Sequence, residues 1–279
     1  MRLKGKHADL IEGNIFQALL VFAIPLLIGN LFQQLYNTAD SYVVGNFVDT
    51  NALAAVGASG SVIQMLVGFF MGLSVGAGVV IAQYFGAGDQ EKMSHAIHSA
   101  LALTAFLSVL FTIAGIAVTR PLLRAIGVPQ EVLPHSTLYL TIYFAGITFL
   151  LFYNMGSGIL RAIGNSRDPL IYLAIASVLN VILDVLLVCV ARLGVAGVAL
   201  GTMIAQAVSA FLVMRQLIHT REAYRVEIKK IRFHKAMTRQ IILVGLPAAF
   251  QQSITAFSNV IVQSYINSFG TAAIAGYST

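Results

Sequence analysis

The sequence is poor in charged residues. They make up 10% of its 279 positions, and hydrophobic residues make up 58%, whereas a soluble domain carries roughly a quarter charged residues. Seventeen basic and eleven acidic side chains cannot form the charged coat that a soluble body of this length needs. The composition therefore excludes an ordinary soluble fold and predicts that lipid surrounds most of the surface.

The sequence also lacks the patterns of an enzyme or a secreted protein. Cys189 is its one cysteine, so no disulfide can form within the chain, and its apolar neighbours indicate a small core side chain. The polar segment 1–14 and the long apolar stretch after it do not fit a cleavable signal peptide. No Ser/His/Asp or Cys/His arrangement occurs at a shared depth in the sequence. His95 and His98 have the spacing of metal ligands but lack a third ligand. The glycine-containing segment 86–89 lacks the Gly-Lys-Ser/Thr ending of a phosphate loop, so this segment is interpreted as a tight turn.

Long apolar runs are abundant instead. Stretches of about 20 apolar residues, enough to cross a bilayer, recur between short polar breaks. They predict membrane-spanning helices at 16–45, 52–84, 94–119, 132–158, 168–191, 196–218 and 239–267, with an eighth beginning near Thr271. Glycines at short spacing inside a span, such as Gly72 and Gly76, favour close helix contacts. The predicted fold class is an all-α membrane protein.

The basic residues predict the orientation of the chain. With the N-terminus in the cytoplasm, only Arg120, Arg124 and Arg192 lie on the outer side, which satisfies the positive-inside rule. The cytoplasmic set consists of Arg2, Lys4, Lys6, Lys92, Arg161, Arg167, Arg215, Arg221, Arg225, Lys229, Lys230, Arg232, Lys235 and Arg239. The run from 215 to 239 is typical of a loop beside anionic lipid, which argues against a nucleic-acid partner. The sequence thus predicts a multi-pass protein of the cytoplasmic (inner) membrane.

A weak internal repeat divides the chain. At one constant offset, Pro25, Asn37 and Phe47 recur as Pro247, Asn259 and Phe269. Six spans separate the copies, so both enter the membrane in the same direction, as in transporters built from two parallel lobes. The repeat predicts a six-helix lobe at 1–218, a basic inter-lobe loop at 219–238 and the start of a second lobe at 239–279. The rest of that C-terminal lobe is expected in a longer protein and would be a partner of this chain.

Two of the acidic residues lie deep inside predicted spans. Asp40 is well within the first span, and Asp184 is near the middle of the fifth. An acid at a helix centre costs about 2.5–3.5 kcal/mol on insertion scales, and no Lys or Arg lies at comparable depth. Because burial disfavours the ionised form, these carboxyl groups are expected to exchange protons or hold a cation. A purely structural hydrogen-bonding role is the alternative.

Polar residues share the helix faces of these acids. Asn180 precedes Asp184 by one turn, and Tyr36 and Asn37 precede Asp40 by four and three positions. Carboxylate, amide and hydroxyl oxygens suit a hard cation such as Na⁺. The pattern therefore predicts a cation site between the first and fifth spans, although the two asparagines also suit plain interhelical contacts.

Three further residues can complete such a site. Thr202 offers a hydroxyl from the sixth span, and Gln33 can line a polar path, although helix packing explains both equally well. Pro25 removes a backbone hydrogen bond early in the first span and should bend it. A bend there can couple cation binding to movement, or it can be a static kink. No resident cofactor is expected, and no metal beyond Na⁺.

Four stretches of the sequence are distinctive in their order and spacing. They are Pro25 through Gln33, Asn37 and Asp40 with Leu53-Ala54-Ala55-Val56-Gly57; Gln83-Tyr84-Phe85-Gly86-Ala87-Gly88-Asp89 with Lys92 and Ala96; Leu160-Arg161-Ala162-Ile163-Gly164-Asn165 with Pro169; and Asn180 and Asp184 with Gly194-Val195-Ala196-Gly197-Val198-Ala199. Together they resemble the multidrug and toxic compound extrusion (MATE) family over essentially the whole chain.

The resemblance implies twelve helices in two six-helix bundles, of which this chain would hold the N-lobe and the start of the C-lobe. It also implies a secondary transporter rather than an enzyme, one that exports organic, often cationic and lipophilic, compounds against inward H⁺ or Na⁺. The N-lobe cation site of the family would fall on Asp40, Asn180, Asp184 and Thr202. One departure is that Val262 stands opposite Asp40 in the repeat, so the C-lobe acid of some members is not evident.

The sequence thus predicts an antiporter for small organic substrates in the membrane, coupled to H⁺ or Na⁺. Its substrate cavity or its movement would involve Pro25, Gln33, Tyr36 and Asn37. A flippase for lipid-linked precursors of the same superfamily would need a cationic cavity, whereas the deep residues are acidic. A non-transporting scaffold or sensor would have no use for unpaired acids in the hydrocarbon layer.

Overall fold

The described part of the chain forms long α-helices. The computed structural model describes residues 15–48, 50–270, 273, 274 and 276, apart from the side chains at 15, 17, 18, 37 and 255. Its helices are α1 (Ile15–Phe47), α2 (Thr50–Gly86), α3 (Gln90–Ala125), α4 (Leu133–Ala162), α5 (Arg167–Asp184), α6 (Val195–His219) and α7 (Lys235–Asn267). A π-helix, Val185–Val190, continues α5, and a 3-10 turn, Ile228–Lys230, lies between α6 and α7. The predicted start of an eighth helix at Thr271 and the basic residues at 2, 4 and 6 lie outside the described residues.

The seven predicted spans are confirmed. All seven helices are long and apolar enough to cross a membrane. The longest are α2 and α3, with 37 and 36 residues. At 1.5 Å per residue they extend for roughly 55 Å, against about 30 Å for the hydrocarbon core of a bilayer. The polar turn that joins them therefore has room to lie outside the hydrocarbon layer.

That turn has the geometry predicted for 86–89. Gly88 has a φ of 72°, a left-handed conformation that glycine adopts without strain. Asp89 then caps α3, because its carboxylate accepts a hydrogen bond from the backbone N–H of Lys92 at 3.0 Å. The turn returns the chain into the membrane as an α2–α3 hairpin.

Glycines bring α2 and α7 into backbone contact. A β-carbon added at Gly72 would overlap the backbone of Ala249, and one added at Gly76 would overlap Gly245. In lipid, such close van der Waals packing replaces the hydrophobic effect as the force between helices. The prediction that glycines within the spans mark close helix contacts is confirmed at these two positions.

The outer surface of the bundle is apolar. Leu27, Leu31 and Leu35 form a stripe on α1, and each is more than 60% exposed. A continuous apolar surface of this kind marks contact with lipid or a partner rather than with water. Among the described side chains of α1, few are buried, and those near its C-terminal end are Asp40, Val43 and Val44. The buried side chains of this helix are therefore concentrated around Asp40, and Gly29 provides a further contact with α5.

The fifth span changes its hydrogen-bonding pattern directly after Asp184. The sequence predicts one regular helix at 168–191, but the structure has α-helix to Asp184 and π-helix from Val185 to Val190. The backbone N–H of Ala191 accordingly donates to the carbonyl of Leu186. π-Bulges in helices occur frequently at functional sites.

The segment between α6 and α7 is folded against α3. It comprises residues 220–234, which we call the inter-lobe loop, and the last four residues of the predicted loop form the first turn of α7. The backbone N–H of Glu227 donates to Nε2 of His98, and that of His234 donates to Oγ of Ser99, both at 3.1 Å. The loop is thus held at a fixed position beside the N-terminal half of α3.

Candidate cation site

Four of the predicted site residues lie together in the structure. Asp40 comes from α1, Asn180 and Asp184 from α5, and Thr202 from α6. The Thr202 hydroxyl donates to Oδ2 of Asp40, and Nδ2 of Asn180 donates to the Thr202 hydroxyl, both at 3.4 Å. Asp184 lies beside Gly201, the residue before Thr202, so the two carboxyl groups converge on the same turn of α6. Three helices therefore meet at one polar cluster.

The cluster is shielded from solvent. The exposed fractions are 6% for Asp40, 2% for Asn180, 0% for Asp184 and 7% for Thr202. Ion pairs within the described residues join Lys92 to Asp89 and Lys230 to Glu227, and neither of these involves the cluster. The two acids are therefore buried without a basic partner among the described side chains.

Several oxygens of the cluster have no hydrogen-bond donor. Within the described part of the chain, this holds for Oδ1 of Asp40, Oδ1 of Asn180 and both carboxyl oxygens of Asp184. A buried polar atom without a partner costs roughly 1–3 kcal/mol, and a charged one costs more. Bound protons or a cation would remove that cost. The donor set, composed of carboxyl, amide and hydroxyl oxygens, is one that suits Na⁺ by analogy with other hard cations.

Residues on three helices place the cluster at one depth. Asp40 lies seven residues before the end of α1, Asp184 lies six before the end of the π-helix, and Thr202 lies seven after the start of α6. Each is therefore about 10 Å from the same face of the bundle, the one that contains the α1–α2 and α5–α6 connections.

Gly201 is a site residue that the sequence reasoning missed. A β-carbon at this position would lie 2.5 Å from Oδ1 of Asp184. The absence of a side chain thus makes room for the carboxyl group between α5 and α6. The signal available in the sequence is that Gly201 directly precedes Thr202, but a single glycine in a glycine-rich membrane helix does not stand out.

A narrow cavity adjoins the cluster. It has a volume of about 10 Å³, room for about one water molecule, and is lined by Tyr36, Ser177, Asn180, Thr202 and Gln206 together with apolar residues of α5 and α6. A second cavity, also of about 10 Å³, is lined by Tyr143, Thr202 and Gln206 together with apolar residues of α4 and α6. Thr202 and Gln206 line both, so they connect the acidic cluster with space between α4 and α6.

The remaining predicted residues take different positions. Gln33 lies one turn before Tyr36 on α1 and interacts with its hydroxyl group. Pro25 is inside α1 but lies fifteen residues from Asp40, or roughly 22 Å along the helix axis. Any coupling between Pro25 and the cluster therefore has to pass through the helix itself. Asn37 is in α1, but its side chain is not among those described, so its role stays a prediction.

His95 and His98 are not arranged as a pair of metal ligands. Nδ1 of His98 contacts the carbonyl oxygen of Ser94 at 2.7 Å, and Nε2 accepts the Glu227 N–H. Both ring nitrogens of His98 are thus used in hydrogen bonds, with the proton on Nδ1. The His95 ring instead stacks on that of His234, with 4.0 Å between the ring centres.

Known proteins with similar sequences and folds identify the family of this chain. The MatE family model matches residues 25–186, which is more than half of the chain. The chain is 32% identical, over 273 residues, to a protein of Bacillus subtilis named a probable multidrug resistance protein, YpnP. That match covers 98% of this chain and 61% of the relative.

Two solved structures share the fold. One is an outward-facing multidrug resistance MATE family transporter, with a TM-score of 0.84 and 29% identity, covering 92% of this chain and 57% of that one. The other is a transporter of the same superfamily from Pyrococcus furiosus, with a TM-score of 0.83, 30% identity and the same two coverages. The chain thus spans about three fifths of the relatives it matches. The family match, the sequence similarity and the shared fold agree with the resemblance seen in the sequence, and the chain belongs to the MatE family.

Proposed function

We propose that this protein is a cation-coupled antiporter that exports small organic compounds across the cytoplasmic membrane, using H⁺ or Na⁺. The observation that supports this function is the buried cluster of Asp40, Asp184, Asn180 and Thr202, with four oxygens that lack a donor. The names of its relatives refer to multidrug resistance and export, which supports organic substrates.

The cluster can act as a switch because it joins α1 to α5 and α6. With a proton or Na⁺ between the carboxyl groups, the repulsion between them is relieved and the three helices are held together. Without the cation, two carboxylates repel each other in a medium of low dielectric. Since α1 has few other buried residues, this repulsion acts on the helix that is most weakly attached.

The coupling follows from the depth of the cluster. If the basic residues orient the N-terminus to the cytoplasm, the nearer face of the bundle is the outer one, so the cation enters from outside. Cation binding then favours the conformation with α1 packed on α5 and α6. A difference of a few kcal/mol between the two conformations suffices to bias the transport cycle. The rearrangement of α1 would then release the substrate from the N-lobe.

Transport measurements on the two acids test this function. In the full-length protein, Asp40→Asn and Asp184→Asn should each abolish export, because neither amide can release a proton or hold a cation by charge. Both variants should be present in the membrane at the parent level. Efflux is measured in vesicles with pH and Na⁺ gradients imposed separately, so that the coupling ion is identified.

The control removes a charge elsewhere. Glu131→Gln changes an exposed acid between α3 and α4 and should leave export and ion dependence at the parent level. Parent-level resistance in cells that carry either aspartate variant would contradict the proposed function.

A flippase of the same superfamily is the competing function. It would hold the pyrophosphate of a lipid-linked precursor and would need basic side chains inside the bundle. The deep ionisable residues described here are acidic instead. They favour cation coupling over recognition of an anionic headgroup within the N-lobe.

A further inference from the structure

The inter-lobe loop and the start of α3 enclose a basic cavity that the transport function does not use. Its volume is about 980 Å³, including its opening to solvent. The loop contributes Lys229, Lys230, Arg232 and His234, and α3 contributes His95 and the one acid of the lining, Glu91. The fixed charges around the cavity are therefore predominantly positive.

Hydrogen bonds and ring stacking hold the inter-lobe loop in a defined position against α3. His98 holds it by accepting the N–H of Glu227, and the stacked rings of His95 and His234 form one wall of the cavity. Nε of Arg232 donates to Nε2 of His234 at 3.3 Å, which directs the guanidinium group beside that wall. Lys230 is paired with Glu227 at 2.7 Å, whereas Lys229 makes no ion pair within the described residues. Lys229 and Arg232 are thus the cations available to a ligand.

An apolar surface continues directly from the cavity. Phe233, between Arg232 and His234, contacts the ring of Phe106 on α3 edge-on, with 6.4 Å between the ring centres. Both rings are more than half exposed, at 53% and 57%. Because Phe106 lies on the outer face of a membrane-spanning helix, the pair is positioned at the level of lipid acyl chains. The cations beside it then lie toward the headgroups.

We propose that this cavity binds the phosphate headgroup of an anionic phospholipid, with an acyl chain lying along Phe106 and Phe233. Positive charge alone would suit any phosphate-bearing ligand, but the aromatic pair next to it favours a ligand with an apolar tail. Arginine and lysine at such positions recognise phosphate by charge and hydrogen bonds. A lipid bound here would tie the loop between the lobes to one leaflet of the membrane.

A single fluorescent reporter can test the proposal. These 279 residues contain no tryptophan, so Phe233→Trp introduces a reporter here and keeps an aromatic ring beside Phe106; tryptophans elsewhere in the full-length protein are first replaced by phenylalanine. The full-length variant is placed in phosphatidylcholine nanodiscs, and brominated phosphatidylglycerol or brominated phosphatidylcholine is titrated in as quencher. We expect the anionic lipid to quench at a clearly lower mole fraction than the zwitterionic one. Equal quenching by the two would overturn the proposal.

Charge variants in the same reporter background locate the site. Lys229→Gln with Arg232→Gln should reduce the preference for the anionic lipid by about 25-fold, since each basic residue near an anionic surface contributes about fivefold. The matched control, Arg221→Gln with Arg239→Gln, removes two exposed cations outside the cavity. It should change the preference by less than about threefold, because salt screens exposed charges beyond roughly 8 Å. Equal losses in the two pairs would show general surface charge only and would overturn the site.

Two further measurements test whether the lost preference is caused by charge rather than by misfolding, and whether the ligand is a lipid rather than a free phosphate compound. Lys229→Arg with Arg232→Lys keeps both charges and should keep the preference, and its loss would contradict recognition by charge. Soluble glycerol 3-phosphate carries the headgroup chemistry without acyl chains. It should fail to displace the brominated lipid at millimolar concentration, and efficient displacement would assign the cavity to a free phosphate ligand instead.

Discussion

The acids at the surface and those inside the bundle have opposite surroundings. Asp89 is partly exposed and Glu227 is exposed, and each forms an ion pair with a lysine three residues later. Hydrogen bonds from Lys92 lower the pKa of the Asp89 carboxyl, and those from Lys230 lower the pKa of Glu227. Asp40 and Asp184 are buried in one cluster and have no basic partner among the described residues.

The difference shows which carboxyl groups have a fixed basic partner and which do not. At the surface, water and a neighbouring lysine keep a carboxylate ionised at neutral pH, so it does not respond to a gradient there. In the bundle, each carboxyl group depends on whatever enters the cluster. An acid that is costly to bury and has no fixed partner is suited to bind a small cation reversibly.

The largest effect is expected when one of the buried acids is replaced by a permanent basic partner for the other. Asp184→Lys places an ammonium group opposite Asp40 and converts the cluster into a fixed ion pair like that of Asp89 and Lys92. We expect export to fall to background while the protein remains in the membrane, because the lysine occupies the place of the coupling ion. Efflux and membrane abundance are measured together, and retained gradient-driven export would contradict the role of the cluster.

A smaller effect is expected when the room around Asp184 is reduced. In Gly201→Ala, the new methyl group would meet Oδ1 of Asp184 at 2.5 Å, so the carboxyl group has to move. Overpacking of this kind costs about 1–3 kcal/mol, so the cation concentration for half-maximal export should rise about fivefold or more. Gly60→Ala is the matched control, since a β-carbon there meets no atom within 4 Å. An unchanged cation dependence in Gly201→Ala would exclude Gly201 from the site.

The smallest effect is expected at the exposed pair. Asp89→Ala removes the cap of α3 and the ion pair with Lys92, yet export should stay within about twofold of the parent, as is usual for surface positions. Thermal stability should fall slightly at neutral pH. Because the pKa of Asp89 is lowered in the folded protein, its stabilisation is present above the ordinary carboxyl value of 3.8 and is lost as the pH falls through the lowered value.

Thermal unfolding of the parent and the Asp89→Ala variant between pH 7 and pH 3 checks this sign. The two unfolding temperatures should converge as the pH falls. A difference in unfolding temperature that grows toward low pH, or a large loss of export, would contradict the purely local stabilising role assigned to Asp89.

Much of the fold was predictable because the bilayer imposes a simple rule. A chain that crosses hydrocarbon has to satisfy its backbone within each helix, so apolar runs of sufficient length identify the spans. The break at π-helix Val185–Val190 was not predictable in this way. Its sequence contains neither proline nor glycine, and the altered hydrogen bonding arises where α5 packs on α6.

The candidate site was predictable in its acids but not in its surroundings. Asp40 and Asp184 stand out because ionisable residues are rare at their depth. Nothing in the sequence distinguishes Gly201 from the many other small residues of the membrane helices, and Gln206 is one of several glutamines that can line a polar path or pack against a neighbouring helix. Their importance depends on which helix faces meet, and that is a property of packing.

By itself, the sequence determined that this protein spans a membrane, which of its segments do so and which acids lie too deep to be solvated. These follow from the cost of exposing charge or unpaired backbone to hydrocarbon, a cost that acts on each segment separately. Only the tertiary structure decided that Asp40 and Asp184, 144 positions apart in the chain, lie in one cluster with unpartnered oxygens. It likewise decided that the basic loop folds against α3 to enclose a cavity, because contacts between distant segments depend on the shape of the whole bundle.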